Sequence, residues 1–438
     1  MSTDSREQPR SGILSLPEEV LDLICEQSEL AQFDDVPATL SAWSRTCRAF
    51  RSSGQRVLFR APFMWSCLPT TSGALALAEA LASNSRLRGY VRDLSALQRA
   101  VDDFLWDKEG ARRKRALYSF EPEQWQQKML ELCPEARSLD VQVVNEEQAE
   151  TIGGGLRNLN RLAELMVVFD GNFHGDRARS FSRLVSACAA NGHPPLALRK
   201  LVLLLSHEGD AEPTAKPPSL AYSTANLSLS LGYTDPALAS LFLPTDLRLL
   251  RTLEIDTDMV CSARAFEPFV ARLAGNSLTT FYFSAGFDHA PPKTAEAYTP
   301  SYDGTAFPLS LFSLFPHIQH LSLRTGREMS LEKLRALACA SPDLETLDLG
   351  ETYWHFSLAD FERASPSSLS VAESKLVTAV APLLRLWELD LGILPVDMDQ
   401  PARLPLEDVL ESREVELSWE PCGTARSYES SESDSDTW

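Results

Sequence analysis

The chain has 438 residues, 44% of them hydrophobic, and a formal net charge of −20 from 41 Lys+Arg against 61 Asp+Glu. That apolar share is enough to build a sizeable core. The acidic balance argues against sequence-independent nucleic-acid binding, which needs cations to displace counterions, and against docking on anionic lipid.

Residues 1–12 carry no apolar core of a secretory leader and are expected to be disordered. No apolar run approaches the length of a membrane span; the longest, such as "LVLLL" at 201–205, suit buried strands. Eight cysteines stand at 25, 47, 67, 133, 188, 261, 339 and 422, and none forms a C-x-x-C pair. That is the pattern of reduced, mostly buried thiols in an intracellular protein.

At the front, "SLPEEVLDLIC" places Ser15 and Glu18 at capping-box spacing with Pro17 in the first turn. Leu16, Val20, Leu21 and Ile24 lie on one side of the resulting helix, and Leu23 and Cys25 widen the apolar surface. "LSAWSRTCRAF" then sets Leu40, Trp43, Cys47 and Phe50 at spacings of three, four and three, a second helical face that Gly54 is expected to break. "QRVLFRAPFMW" adds Val57, Leu58 and Phe59. Three short helices make a small core, and the apolar residues exceed it. The surplus calls for a partner or for a neighbouring domain that these helices cap.

"RRKR" at 112–115 is a basic cluster, either a nuclear import signal or a solvated loop. Beyond it the chain repeats. "LETLDL" at 344–349 has the form L-x-x-L-x-L, and the same template fits stretches beginning at 162, 198, 250, 278, 318 and 386, with weaker versions at 136, 225 and 412. The central apolar residues are Leu139, Leu165, Leu201, Leu227, Leu253, Phe281, Leu321, Leu347, Leu389 and Val415. Their gaps are 26, 36, 26, 26, 28, 40, 26, 42 and 26. The shorter gaps match a repeat of roughly 20–29 residues, each a strand and a return. The longer ones are insertions, such as the Pro-rich 284–304. Returns at 180–192, 261–277 and 330–341 read as helices. Stacked repeats share a continuous core that no single repeat can form. In this register Leu347 and Leu349 point inward and Asp348 outward, where its loss is expected to cost little.

Other constellations fall away. His317 and His320, taken to lie on one strand, would point to opposite faces and cannot share a metal. "GGG" at 153–155 lacks the Lys and Ser/Thr of a phosphate loop and is expected to end a helix. No G-x-S-x-G elbow occurs. No catalytic residue, cofactor site or metal site is expected, and the chain reads as a non-enzyme. Residues 421–438 are acidic and Ser-rich and are expected to be disordered; Ser431 and Ser433 each have an acid three residues on.

The front resembles an F-box. The residues that carry the resemblance are Leu16-Pro17 with Glu19 and Val20-Leu21, then Ile24, then "WSRTCRAF" and the closing "VLFR". It covers roughly residues 13–62, with a longer loop around Gln32 to Ala38. The body resembles the irregular leucine-rich repeats of F-box proteins, without the consensus Asn or Cys after the strand, so tight turns of the strict type are not expected. The resemblance implies an α/β fold: a three-helix F-box followed by a solenoid of short parallel strands alternating with helices. The organisation would be a disordered start at 1–12, an F-box at 13–62, a helical linker or cap at 63–132, repeats at 133–420 and the tail at 421–438.

The function implied is that of the substrate-recognition subunit of a Skp–cullin–F-box ubiquitin ligase, in cytoplasm or nucleus. The F-box would dock on the Skp adaptor, and through it a cullin, using Leu16, Pro17, Val20, Leu21, Ile24, Leu40, Trp43, Cys47, Phe50, Leu58 and Phe59. The repeats would hold a target protein on their concave side at Glu254, Ser322, Asp348, Asp390 and Glu416, flanked by Asp256, Glu388 and Glu414. Asp140 starts that line, while Met166, Val202 and Ser228 carry no charge. Such a face would prefer a basic segment, unless it is simply a solvated acidic surface. A repeat scaffold, and an F-box protein acting outside ligases, remain open.

Overall fold

The alternation in Ser138–Val143 shows how the body is built. Leu139, Val141 and Val143 are fully buried, while Ser138, Asp140 and Gln142 keep contact with solvent. A strand so patterned has one dry face and must stack against others to keep it dry. The structure, a computed structural model, describes residues 16–30, 36–46, 48–62, 71–95, 97, 122–169, 173, 175–189, 195–205, 221–232, 236–257, 269, 271–273, 277–285, 316–324, 328–350, 353–354, 376–394 and 410–421. The basic cluster at 112–115, most of the 284–304 insertion and nearly all of the tail lie outside them. The chain divides into two compact units, Met1–Leu201 and Val202–Trp438.

The first unit begins with helices α1 (Glu18–Leu30), α2 (Val36–Thr46), α3 (Arg48–Arg60), α4 (Thr71–Ser83) and α5 (Ser85–Arg88). Strands β1 (Asp93–Leu94), β2 (Ser138–Val143) and β3 (Glu164–Phe169) follow, all parallel, with Leu94, Leu139 and Leu165 in register. Helices α6 (Pro122–Leu132), α7 (Glu146–Leu156) and α8 (Arg177–Ala189) form the returns, and β4 spans Leu196–Leu204. One backbone carbonyl per strand accepts from two successive N–H groups of the next. The Arg92 carbonyl accepts from Arg137 and Ser138 (2.7 and 3.2 Å), that of Arg137 from Ala163 and Glu164 (both 2.8 Å), and that of Ala163 from Arg199 and Lys200 (2.7 and 3.0 Å). The series starts on a helix: the carbonyl of Arg60, the last residue of α3, accepts from Arg92 N–H at 2.9 Å.

The second unit holds β5 (Tyr222–Ser230), β6 (Thr252–Thr257), β7 (Thr280–Ala285), β8 (His320–Arg324), β9 (Glu328–Met329), β10 (Thr346–Asp348), β11 (Tyr353–Trp354), β12 (Glu388–Leu394) and β13 (Glu416–Pro421). Every pairing described here is parallel too. Leu227, Leu253, Phe281, Leu321, Leu347 and Leu389 stand in register and are buried. Leu349 is also fully buried, while Asp348 keeps partial exposure. Short β9 and β11 continue the ladder beside the far end of β12. The return before β10 is α9 (Leu331–Ala340), whose N-cap Ser330 side chain accepts from Lys333 N–H.

Three expectations need correction. Leu389 pairs with Leu417, two residues beyond Val415. Val415 N–H instead closes the preceding turn on the Leu410 carbonyl (2.9 Å), and Glu414 takes a left-handed φ of 59°, so the strand starts later. Gly54 lies inside α3, where an added Cβ would come 3.2 Å from the Leu40 carbonyl of α2. Likewise Gly153–Gly155 do not end α7 but run through it. An added Cβ on Gly153 would press into the Leu184 carbonyl of α8 and sit 2.7 Å from the Ala187 Cβ. In both cases glycine permits two helix backbones to approach.

This generates a paired test. Gly153→Val should destabilise the chain by about 1–3 kcal/mol through overpacking. Gly154→Ala, where an added Cβ meets nothing within 4 Å, should stabilise by up to about 1 kcal/mol, the helix-propensity gain. Urea unfolding of both variants checks the sign at each position.

Candidate functional site

Two surfaces emerge, one on the front helices and one on the sheet of the second unit. On α1 the acids fall four residues apart, and so do their partners on α3. The Glu18 carboxylate accepts from the Ser52 hydroxyl at 3.0 Å and pairs with Arg56; Asp22 also pairs with Arg56, and Glu26 with Arg60 at 2.9 Å. Partners ascend together in both helices, so α1 and α3 run parallel. The Ser52 hydrogen bond, then Arg56, holds the Glu18 carboxyl below the usual carboxylate range. Exposed pairs of this kind contribute little each, and their regular spacing sets the helix register.

Beneath the charges, Leu21, Cys25, Leu40, Phe50 and Val57 form the core, with Ile24, Trp43 and Leu58 packed against it. The Trp43 and Phe50 ring centroids are 5.7 Å apart. The expected adaptor-binding residues therefore separate. Leu21, Leu40 and Phe50 are buried and hold the helices together, so their side chains do not present a docking surface. Ile24, Trp43, Leu58, Phe59 and Val20 are half-buried. Leu16 and Pro17 are exposed, and Cys47 lies outside the described residues. Leu23, noted in the sequence only as widening the helix's apolar surface, is 56% exposed. Leu16 lies two residues before α1, on which Val20 is half-buried and Leu23 exposed. A groove of about 360 Å³ beside α1 and α3 is lined by Asp22, Glu26, Arg56, Arg60, Tyr90 and Arg92 among others. Arg56 and Arg86 both lie 5.8 Å from the centre of the Tyr90 ring. The two acids of that groove are already paired with arginines.

On the sheet of the second unit, the residues one step beyond the buried leucines form a cross-strand line on the opposite face. It runs Ser228, Glu254, Tyr282, Ser322, Asp348, Asp390, Ser418. Four of the five expected target-binding residues lie on it. Glu416 does not: it stands across from Glu388, two residues back along the strand, because of the shifted register of β13. Tyr282, 41% exposed, interrupts the acids between Glu254 and Ser322, and sequence reading missed it. Its template position, between Phe281 and Phe283, was the available signal.

Asp348 is not a free outward acid. Its Oδ2 accepts from the Ser322 hydroxyl and from Arg324 Nε, both at 2.9 Å, and its Oδ1 from Gly350 N–H at 2.8 Å. The expectation that its loss costs little is overturned by these bonds. Asp390 accepts from Gly392 N–H at 2.8 Å and from the Ser418 side chain. Burial raises the Asp390 carboxyl, and the neighbouring Asp348 adds to this against the Gly392 N–H and Arg324. His317 sits in the turn before β8 rather than on it, and His320 Nδ1 lies 3.1 Å from the Thr346 hydroxyl. Among the described residues no group of three or more His, Cys, Asp or Glu is arranged to hold a metal ion, and no helix is long and apolar enough to cross a membrane. Burial makes the Cys25, Cys133 and Cys188 thiols harder to ionise.

No protein-family model matches the chain, and no curated protein does. Among solved structures it is similar to a Bacteroides fragilis protein from a structural genomics consortium, at 12% identity over 70% of this chain and 71% of that one, with a TM-score of 0.31. A chain of the TLR13–ssRNA13 complex gives 16% identity over 68% and 41%, with a TM-score of 0.33. A chain of the yeast Rad7–Elc1 complex gives 10% identity over 91% and 92%, with a TM-score of 0.35. TM-scores this low do not establish a shared fold.

In the first unit Asp140 is half-buried on the polar face of β2, and burial followed by the charge of Asp93 pushes its carboxyl up to about 7. The folded chain then binds this proton more tightly than the unfolded one, whose carboxyl titrates near 3.9. Stability from this group is thus highest at low pH and falls as pH rises from about 4 to about 7. Asp140→Asn should be more stable than wild type at pH 8, with the difference vanishing toward pH 4, in urea unfolding across that range.

Proposed function

We propose that the chain is the substrate-recognition subunit of a Skp–cullin–F-box ubiquitin ligase. Helices α1–α3 dock on the Skp adaptor, and the repeats hold the protein to be ubiquitinated. The chain contributes proximity rather than chemistry, bringing a bound target near a ubiquitin-charged enzyme. The observation that carries this reading is the exposure of two apolar side chains, Leu16 just before α1 and Leu23 on it, beside a core that is complete without them. Apolar surface left over by a complete core points to a partner. A stable interface buries roughly 1,200–2,000 Å², so the half-exposed Trp43 and Phe59 enlarge the patch in this reading.

A second reading has its own support. Because the Arg60 carbonyl carries the hydrogen bond from Arg92 that precedes β1, α1–α3 also serve as an end cap of the parallel sheet, and a cap needs no adaptor. Co-purification with a Skp adaptor separates the two. The wild-type chain should bind it. Leu23→Asp should abolish binding while leaving the circular dichroism unchanged, since a charge on an exposed side chain costs the fold little. Leu21→Asp should instead unfold the helical front, because it buries an unpaired charge in the core. A wild-type chain that fails to retain the adaptor leaves only the cap.

A further inference from the structure

We propose that the polar sheet face of the second unit binds an extended cationic peptide segment with basic residues at both ends and an apolar side chain between. This rests on the reading of the repeats as the target-holding part. The described strands place six carboxylates on this face, Glu254, Asp256, Asp348, Glu388, Asp390 and Glu416, against one guanidinium, Arg324. Arg324 is committed to Asp348 at 2.8 Å. Among the described residues the other five acids have no ion pair. On the front helices, by contrast, Glu18, Asp22 and Glu26 all find arginines.

Two like-charged pairs stand directly opposite each other on neighbouring strands, Asp348 with Asp390 and Glu388 with Glu416. Directly opposed like charges weaken a sheet. A cation placed over them relieves that repulsion, so the electrostatics of the face favour a positively charged occupant. The other side chains along the line are small, Ser228, Ser322 and Ser418, which lets a backbone lie close. Tyr282 is the exception, an exposed ring between the two acidic ends, suited to contact with an aliphatic or guanidinium group.

Geometry sets the length of the segment. Glu254 and Asp256 on β6 are separated from Asp390 and Glu388 on β12 by four strand pairings. At about 4.8 Å per pairing that is roughly 19 Å. An extended chain covers it in about six residues. Nucleic acid is repelled by the same face, so the partner class is a protein segment.

The probe is a fluorescein-labelled peptide, Arg-Lys-Ser-Gly-Leu-Gly-Ser-Lys-Arg, titrated with the full chain and read by anisotropy at low and high salt. Binding is expected, weakening with salt as screened surface charges do. Glu254→Gln with Asp256→Asn, and separately Glu388→Gln with Glu416→Gln, should each weaken it about tenfold, in keeping with a few exposed ion pairs. Neutralising Glu388 and Glu416 removes an opposed like-charged pair, and Glu254 and Asp256 stand beside only Ser and Tyr across the sheet, so both variants should stay folded. A version of the peptide with serine at its four basic positions should not bind. No binding by the wild-type chain, or binding by either charge variant as tight as that of the wild type, overturns the proposal. Adaptor co-purification from the same preparations keeps the two readings apart: the face variants should retain the adaptor, and Leu23→Asp should retain the peptide.

Discussion

One backbone carbonyl per strand, accepting from two successive N–H groups of the next strand, is the contact on which the rest depends. It sets the lateral position of each strand before any side chain is considered. Once that position is set, the template's central leucine has to land beside the previous one, because side chains alternate with a period of two. A slip of one residue would turn every leucine to the polar face. The insertions of varied length between strands are tolerated because they fall in returns, which do not enter this contact. In the first unit the series reaches back to the Arg60 carbonyl at the end of α3. Here the helical front and the sheet are parts of one hydrogen-bonded structure.

Two strands share a device that the template did not advertise, at the end of β10 and at the register shift within β12. "LDLG" occurs at 347–350 and again at 389–392. In each, the Asp side chain accepts the N–H of the glycine two residues on. The contact is a local side-chain to backbone bond of the Asx type. It gives these acids two duties, since Asp348 and Asp390 fix the local backbone and also lie on the polar face. Asp348 additionally ties β10 to β8 through Ser322 and Arg324, so removing it disturbs the sheet as well as its surface.

The front of the chain shows a comparable division of labour within single helices. One side of α1 carries the acids that engage α3, a second buries Leu21 and Cys25, and a third leaves Leu23 to solvent. The charged side does not supply much stability, because its pairs are largely exposed. Its role is to exclude other registers of α1 on α3. With the register held, Leu23 is left at the surface of the packed helices.

Periodicity in the sequence was enough to determine a repeat of strand and return, the line of Leu227, Leu253, Phe281, Leu321, Leu347 and Leu389, and the helical character of the front, because each depends on apolar spacing along the chain. Four of the five face residues were legible for the same reason. What sequence missed depends on neighbours distant in the chain. Gly54 and Gly153 looked like helix breakers, since local propensity is all a sequence window contains; both lie inside helices, where the missing Cβ leaves room for the backbones of Leu40 and Leu184. Val415 fitted the leucine template, yet the turn onto Leu410 claimed it and moved the strand by two residues. Leu21, Leu40 and Phe50 were indistinguishable from Leu16 and Leu23 as apolar helix positions. Which of them face solvent was decided only when α1, α2 and α3 packed, because burial is a property of the assembled helices and not of any one of them.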